Sequence, residues 1–171
     1  MFRDDRAGVR NDRRPLLLWL GTAARLLLGG VFVVAGVLKL PDPAAAVRAV
    51  RAYRLLPESL TGPVAFGMPV LEIAVGLALL AGVFVRTAAI ASAALLVVFV
   101  AAVASAWARG LQIDCGCFGD GGEVGAGDTA YPAEILRDLA LLVVALALAR
   151  WPRSRLALGG APVQEEVPSA R

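Results

Sequence analysis

PVAFGMPVLEIAVGLALLAGVFVRTAAIASAALLVVFVAAVASAWA, residues 63–108, is the stretch whose reading decides the fold. It holds two apolar runs, about 63–85 and 87–108, with a single basic residue between them, Arg86, and a single acidic residue, Glu72. A helix needs about 20 apolar residues to cross the hydrocarbon of a bilayer. Each run meets that length, and the short connection at Arg86 makes them an antiparallel pair. Moving outward, residues about 16–40 and 133–151 have the same character, so the sequence predicts four spans. The fourth begins with Glu134, Arg137 and Asp138, which leaves only about 135–151 for hydrocarbon, with Trp151 at the far interface. The expected fold is all-α, an integral membrane four-helix bundle.

Composition agrees. Hydrophobic residues make up 58% of the 171, and the mean hydropathy is +0.72, well above the roughly half-apolar usage of water-soluble domains. The formal charge is +3, yet no basic stripe interleaved with aromatics occurs, so no nucleic-acid partner is expected. Histidine is absent, which removes the commonest general base and the commonest metal ligand together.

Lysine and arginine orient the bundle. The two ends and the connection at Arg86 share one side and carry ten of these residues, against six on the other side (Lys39, Arg48, Arg51, Arg54, Arg109 and Arg137). This places a basic N-terminus (1–15) and a polar tail (152–171), expected to be disordered, in the cytoplasm of a plasma-membrane protein whose membrane domain is 16–151. Basic residues precede the first span as in a signal peptide, but its apolar run is longer than the apolar core of one and no clear small-residue cleavage site closes it, so it reads as a retained anchor. Both longer connections, 41–62 and 109–132, then face outward. Within the first, Val47, Val50, Tyr53, Leu55 and Leu56 alternate with Arg48, Arg51 and Arg54 at three-residue spacing, the pattern of a short amphipathic helix. That helix can lie on the outer membrane surface or cover the bundle with a solvated arginine face.

Two charges fall inside the spans, Arg25 and Glu72. An isolated charge at such depth costs several kcal/mol, so each should face the interior and find a partner. Depth counted from the cytoplasmic boundaries brings them within reach of one another, and the expectation is an Arg25–Glu72 ion pair, as a clamp or as a proton or quinone site. In the third span Ala88 and Ser92, and Ala101 and Ser105, stand four apart, which permits close helix approach.

The chain's two cysteines, Cys115 and Cys117, lie in DCGCFGDGG at 114–122. A bridge between residues i and i+2 closes a very small ring, strained and therefore labile, and Gly116 supplies the backbone freedom it needs. A structural staple gains little from so short a loop. Exchange chemistry is the expectation, and the surrounding glycines leave both sulfurs reachable by a partner. Asp114 and Asp120 disfavour the thiolate. Two sulfurs with carboxylates and no histidine make a poor zinc set, and no metal is expected.

RLLLGGVFVVAGVLKLPDP at 25–43, AYRLLP at 52–57, PVLEIAVGLALLAG at 69–82 and DCGCFG at 114–119 together resemble the DoxX superfamily of small membrane proteins, and within it the MauE branch of methylamine-utilisation proteins. The resemblance implies a redox-associated membrane protein in which Cys115 and Cys117 form the redox pair and Arg25, Lys39, Pro69 and Glu72 occupy motif positions of the helices. It implies as partners the lipid bilayer and a thioredoxin-like or exported disulfide-containing protein, the family being tied to maturation of the disulfide-rich small subunit of methylamine dehydrogenase. The bundle is also comparable with vitamin K epoxide reductase-like proteins, but it lacks their second cysteine pair, so no thiol relay to quinone can be built. The leading expectation is an accessory of extracytoplasmic thiol–disulfide exchange that requires no cofactor. Alternatives are a quinone-interacting subunit that uses Arg25 and Glu72, and an assembly partner without chemistry.

Overall fold

The computed structural model describes residues 5–116, 121–125 and 127–152, with side chains from Leu17 onward. Five helices run α1 (Asp5–Leu38), α2 (Pro43–Ala52), α3 (Glu58–Ala81), α4 (Val85–Ala108) and α5 (Tyr131–Arg150). Between α4 and α5 lies a small antiparallel hairpin, β1 (Ile113–Cys115) with β2 (Gly121–Glu123). The protein is therefore an all-α membrane protein with one short β element added in the cysteine connection. Three helical stretches, Leu17–Leu38, Glu58–Ala81 and Val85–Ala108, are long and apolar enough to cross a membrane. The fourth expected span is helical over 20 residues but keeps Glu134, Arg137 and Asp138 in its first turns. The tail from 153 on lies outside the described residues, whereas residues 5–15 continue α1.

Element boundaries differ from expectation where backbone chemistry intervenes. The connection between the second and third spans sits at Gly82–Phe84, not at Arg86. Gly82 takes a left-handed φ of 70° and ends α3 by donating its amide to Ala78 and Leu79 carbonyls, which glycine does without a steric penalty. Arg86 thus falls in the first turn of α4. At the other end α3 starts five residues before Pro63, because the extended Pro57 caps it and Leu60 N–H donates to Pro57 O at 2.9 Å.

Packing is closest between α1 and α3, which lie antiparallel on a glycine seam. A Cβ on Gly29 would stand 2.9 Å from Gly76 O, one on Gly76 would stand 2.8 Å from Gly29 O, and one on Gly36 would stand 2.8 Å from Pro69 O. In a bilayer, where apolar burial gives helices no reason to associate, such backbone approach is the main source of attraction. Helix α4 packs along α5, and Leu28, Phe32, Val75, Leu79, Leu96 and Leu148 form the core where the two pairs meet. The small-residue expectation for the third span holds for Ala88 and Ser92, both buried, but not for Ala101, which is exposed. Outside, Leu27, Phe66, Val70, Ile90, Val97 and Val143 are all more than half exposed. Apolar outside and polar inside is the arrangement of a protein dissolved in lipid.

The amphipathic helix is present as α2, shorter than expected. Asp42 caps it by accepting from Ala45 N–H at 2.9 Å, Pro43 occupies its first turn, and it stops at Ala52 before Arg54 turns left-handed (φ 51°). That Ala45 amide, helped by Arg48, holds the Asp42 carboxyl below the usual carboxylate range. Its buried strip is Ala45, Ala46, Ala49 and Ala52, while Leu55 and Leu56 are exposed beyond its end. Each arginine of the outer row has an acid: Arg48 takes Asp42, Arg51 takes Glu58 and Arg54 takes Glu123.

Candidate functional site

The hairpin that carries Cys115 sits on the alanine face of α2. Ile113 pairs with Glu123, Asp114 with Gly122 and Cys115 with Gly121. The close fit depends on two glycines. Gly116 adopts φ 66°, and a Cβ there would come within 2.9 Å of Ala49 Cβ; one on Gly121 would come within 2.7 Å of the same atom. Asp114 Oδ1 accepts from Gly116 N–H at 2.9 Å and closes the turn that follows the strand. Gly116 thus supplies a left-handed turn and room for α2, a more specific role than the pliability read from the sequence.

Both tyrosines of the chain hold this loop. Tyr53 O–H donates to the Cys115 carbonyl at 3.1 Å, while Tyr131 O–H donates to Leu111 O at 2.6 Å and its oxygen accepts from Ile113 N–H at 3.1 Å. Arg109 donates to Tyr53 O at 2.6 Å, and the Arg54–Glu123 pair joins the end of α2 to β2. The hairpin is therefore hydrogen-bonded from α2 and α5 and packed against Val103 and Ala106 of α4 through Ile113. Cys117 lies outside the described residues.

Glu134, in the first turn of α5, is 8% exposed, and its carboxylate is hydrogen-bonded from Cys115 by side chain and by backbone amide. An oxygen of Glu134, an oxygen of Asp114 and the Cys115 sulfur lie within 4.8 Å of one another. The second oxygen, Glu134 Oε2, is buried with no hydrogen-bond partner among the described residues. One thiol and two carboxylates without histidine do not make the donor set of a closed zinc site. The sequence presented Glu134 only as a cost to the fourth span. Its contact with Cys115 depends on how α5 docks on the hairpin, a long-range fact that no local spacing announces.

On its other side Cys115 borders an open apolar cavity of about 220 Å³ lined by α2, α3 and α4. Cys115 and Gly116 close one part of it; Val64, Met68, Pro69 and Phe99 are in its walls, and Lys39 supplies a charge. Pro69, singled out in the sequence, is thus a wall residue.

Lys39 and Glu72 form the buried ion pair of the interior, with Lys39 Nζ at 2.6 and 2.7 Å from the two Glu72 oxygens and at 5.6 Å from the centre of the Phe99 ring. This corrects the expected pairing of Glu72 with Arg25. Depth counted from separate boundaries ignored the register of α1 on α3. The glycine seam sets Gly36 against Pro69 and Ile73, and Gly29 against Gly76 and Leu80. Glu72 is therefore nearer the C-terminal end of α1, where Lys39 reaches back to it. Arg25, 2% exposed, is buried a turn beyond Gly29 in the opposite direction. Beyond Glu72 a space of about 30 Å³ borders Arg137 and Asp138, which are themselves paired at 2.9 Å.

Comparison with known proteins agrees with the MauE part of the resemblance read from these motifs. The family described as "Methylamine utilisation protein MauE" matches residues 17–151. A curated relative, the "Methylamine utilization protein MauE" of Paracoccus denitrificans, is 39% identical over 140 residues, covering 80% of this chain and 70% of that protein. No solved structure matches. The match runs from the first described side chains of α1 to the end of α5 and takes in the glycine seam, the Lys39–Glu72 pair and the cysteine hairpin, so the chain belongs to the MauE family.

Proposed function

We propose that this protein is a plasma-membrane accessory of methylamine utilisation that exchanges disulfides beyond the cytosol through Cys115 and Cys117. In this reading it supports maturation of an exported, disulfide-rich protein of the methylamine dehydrogenase kind. The observation that carries the proposal is the mounting of Cys115. Its hairpin is tied to α2 and α5 by Tyr53, Tyr131 and the Gly116–Ala49 fit, so one sulfur of the pair is held at a defined place. The reaction balances without an outside oxidant: two protein thiols and a partner disulfide become a Cys115–Cys117 disulfide and a partner dithiol, or the reverse. A very small ring keeps that bond labile in both directions.

The proposal includes a fourth span. The charges of α5 face inward, where Glu134 and Asp138 are buried, while Leu136, Val143 and Leu146 lie more than half exposed along its outer side. With four spans, the basic ends share the cytoplasmic side and the hairpin faces outward. The test is trapping in intact membranes. Cys115→Ala and Cys117→Ala should each abolish net exchange, and one of them should accumulate a mixed disulfide with an exported thioredoxin-like protein. Unimpaired exchange in both variants would reject the proposal.

A second reading, a quinone-interacting subunit of DoxX type, is favoured by the apolar cavity that places Lys39 and Cys115 around one space. It requires the cavity to bind a quinone ring. Quenching of Trp107 or Trp19 fluorescence by a short-chain quinone, lost in a Met68→Trp cavity-filling variant, would support it over the first.

A further inference from the structure

We infer that Glu134 is the proton carrier of Cys115 and that Cys115 is the attacking sulfur of the pair; this rests on the exchange reading above. The chain buries a carboxylate at the head of α5 that forms no ion pair among the described residues, Arg137 acting on it only through space. A buried acid is costly unless it is paired or shares a proton. Arg137, one turn further on, is bonded to Asp138 at 2.9 Å. Lys39 is taken by Glu72. The tyrosine hydroxyls that reach the hairpin donate to backbone carbonyls, Tyr53 to Cys115 and Tyr131 to Leu111. Among the described residues Glu134 Oε2 has no hydrogen-bond partner, and the groups gathered on this carboxylate are the Cys115 sulfur and backbone amide, Asp114 and, through space, Arg137. A structural clamp would have set a fixed donor on that oxygen. What the site offers is an acceptor beside a thiol.

A thiolate forming beside two carboxylates meets like charge, so the sulfur gives up its proton only where an acceptor stands by to take it. Asp114 keeps the resting sulfur protonated, and Glu134 removes the proton when it must leave. The step balances as follows. The Cys115 S–H proton passes to Glu134 as the sulfur attacks a partner disulfide. A new S–S bond joins Cys115 to the near partner sulfur, the partner's own S–S bond breaks, and the far sulfur departs as thiolate and takes up the proton held by Glu134. One disulfide is consumed and one is formed. In the reverse direction Glu134 protonates Cys115 as it leaves, which serves a poor leaving thiol. General acid–base help of this kind contributes about 10²–10⁴-fold.

The test uses the full chain in detergent or nanodiscs, as a Cys117→Ser variant with Cys115 as its one thiol, with and without Glu134→Gln. Two rates are measured against pH: alkylation by iodoacetamide, and exchange with glutathione disulfide. Removing a negative neighbour should lower the midpoint of alkylation by about one pH unit, so Glu134→Gln alkylates faster near neutrality. The same variant should exchange with glutathione disulfide at least 10-fold more slowly, and Glu134→Asp should recover part of that rate. Opposite signs in the two assays are not produced by loosened packing, which would move both together. An unmoved alkylation midpoint overturns the inference, as does a moved midpoint with exchange unimpaired. Wild-type protein assayed alongside separates the two claims: if its intact cysteine pair fails to exchange with any disulfide, the exchange reading itself falls, whatever Glu134 does to alkylation.

Discussion

Single residues decide the interior of this protein. Lys39 and Glu72 are 10% and 1% exposed, and each neutralises a charge that the apolar surroundings would otherwise reject. Removing one partner of a buried pair costs roughly 3–5 kcal/mol, whereas replacing both by apolar residues of similar volume is often neutral. Lys39→Met should therefore destabilise the purified protein by about that amount, and Lys39→Met with Glu72→Met should recover most of the loss, as read by thermal unfolding in detergent. A full loss persisting in the double variant would mean the pair is needed for more than neutrality. Gly116 is decisive for a different reason. A side chain there meets both the left-handed backbone, at about 1–2 kcal/mol, and Ala49 at 2.9 Å. Gly116→Ala should raise the labelling rate of Cys115 severalfold by freeing the hairpin, and Ala49→Gly should restore only the steric part.

At the level of elements, the glycine seam makes α1 and α3 one unit. Gly76→Ala places a methyl 2.7 Å from Val33 Cγ2 and 2.8 Å from Gly29 O, so the two helices must part. The same change at Gly67 meets nothing within 4 Å and should be tolerated or slightly stabilising, since alanine favours a helix over glycine by about 1 kcal/mol. A melting temperature lowered by Gly76→Ala and not by Gly67→Ala is the expected result. The hairpin is held to α5 by Tyr131 alone among its described hydroxyl contacts. Tyr131→Phe strands the Ile113 amide, which is buried, at a cost of about 1–3 kcal/mol. Faster amide exchange at Ile113 and Asp114 with little change in the spans would be its signature.

For the whole molecule the ordering of polarity is inverted relative to a protein in water. Arg25, Glu72 and Asp138 are 3% exposed or less, while Leu17, Phe66, Val70 and Val143 are more than half exposed. A charge placed on that exterior should be far worse than one on a soluble surface. Val143→Arg, on the outer side of α5, should cost roughly 2.5–3.5 kcal/mol of insertion and lower the yield of membrane-integrated protein if α5 spans. Unchanged integration would mean that α5 lies outside the hydrocarbon and that the four-span arrangement is wrong.

The sequence by itself determined that the chain lives in a membrane, where its long helices run, that a short arginine-rich helix follows the first, and that both sulfurs sit in one glycine loop. These are local properties: the length of an apolar run against the thickness of a bilayer, and the spacing of charges along a turn. It misjudged the end of α3 because one glycine, Gly82, stops the helix four residues before the charge at Arg86. Tertiary structure alone decided which charges meet. Arg25 and Lys39 stand fourteen residues apart, about 21 Å along a helix, so the register of α1 on α3 settles which of the two meets Glu72. It likewise brought Glu134 to Cys115, nineteen positions away in the chain, because the docking of α5 on the hairpin is set by side chains from several elements at once.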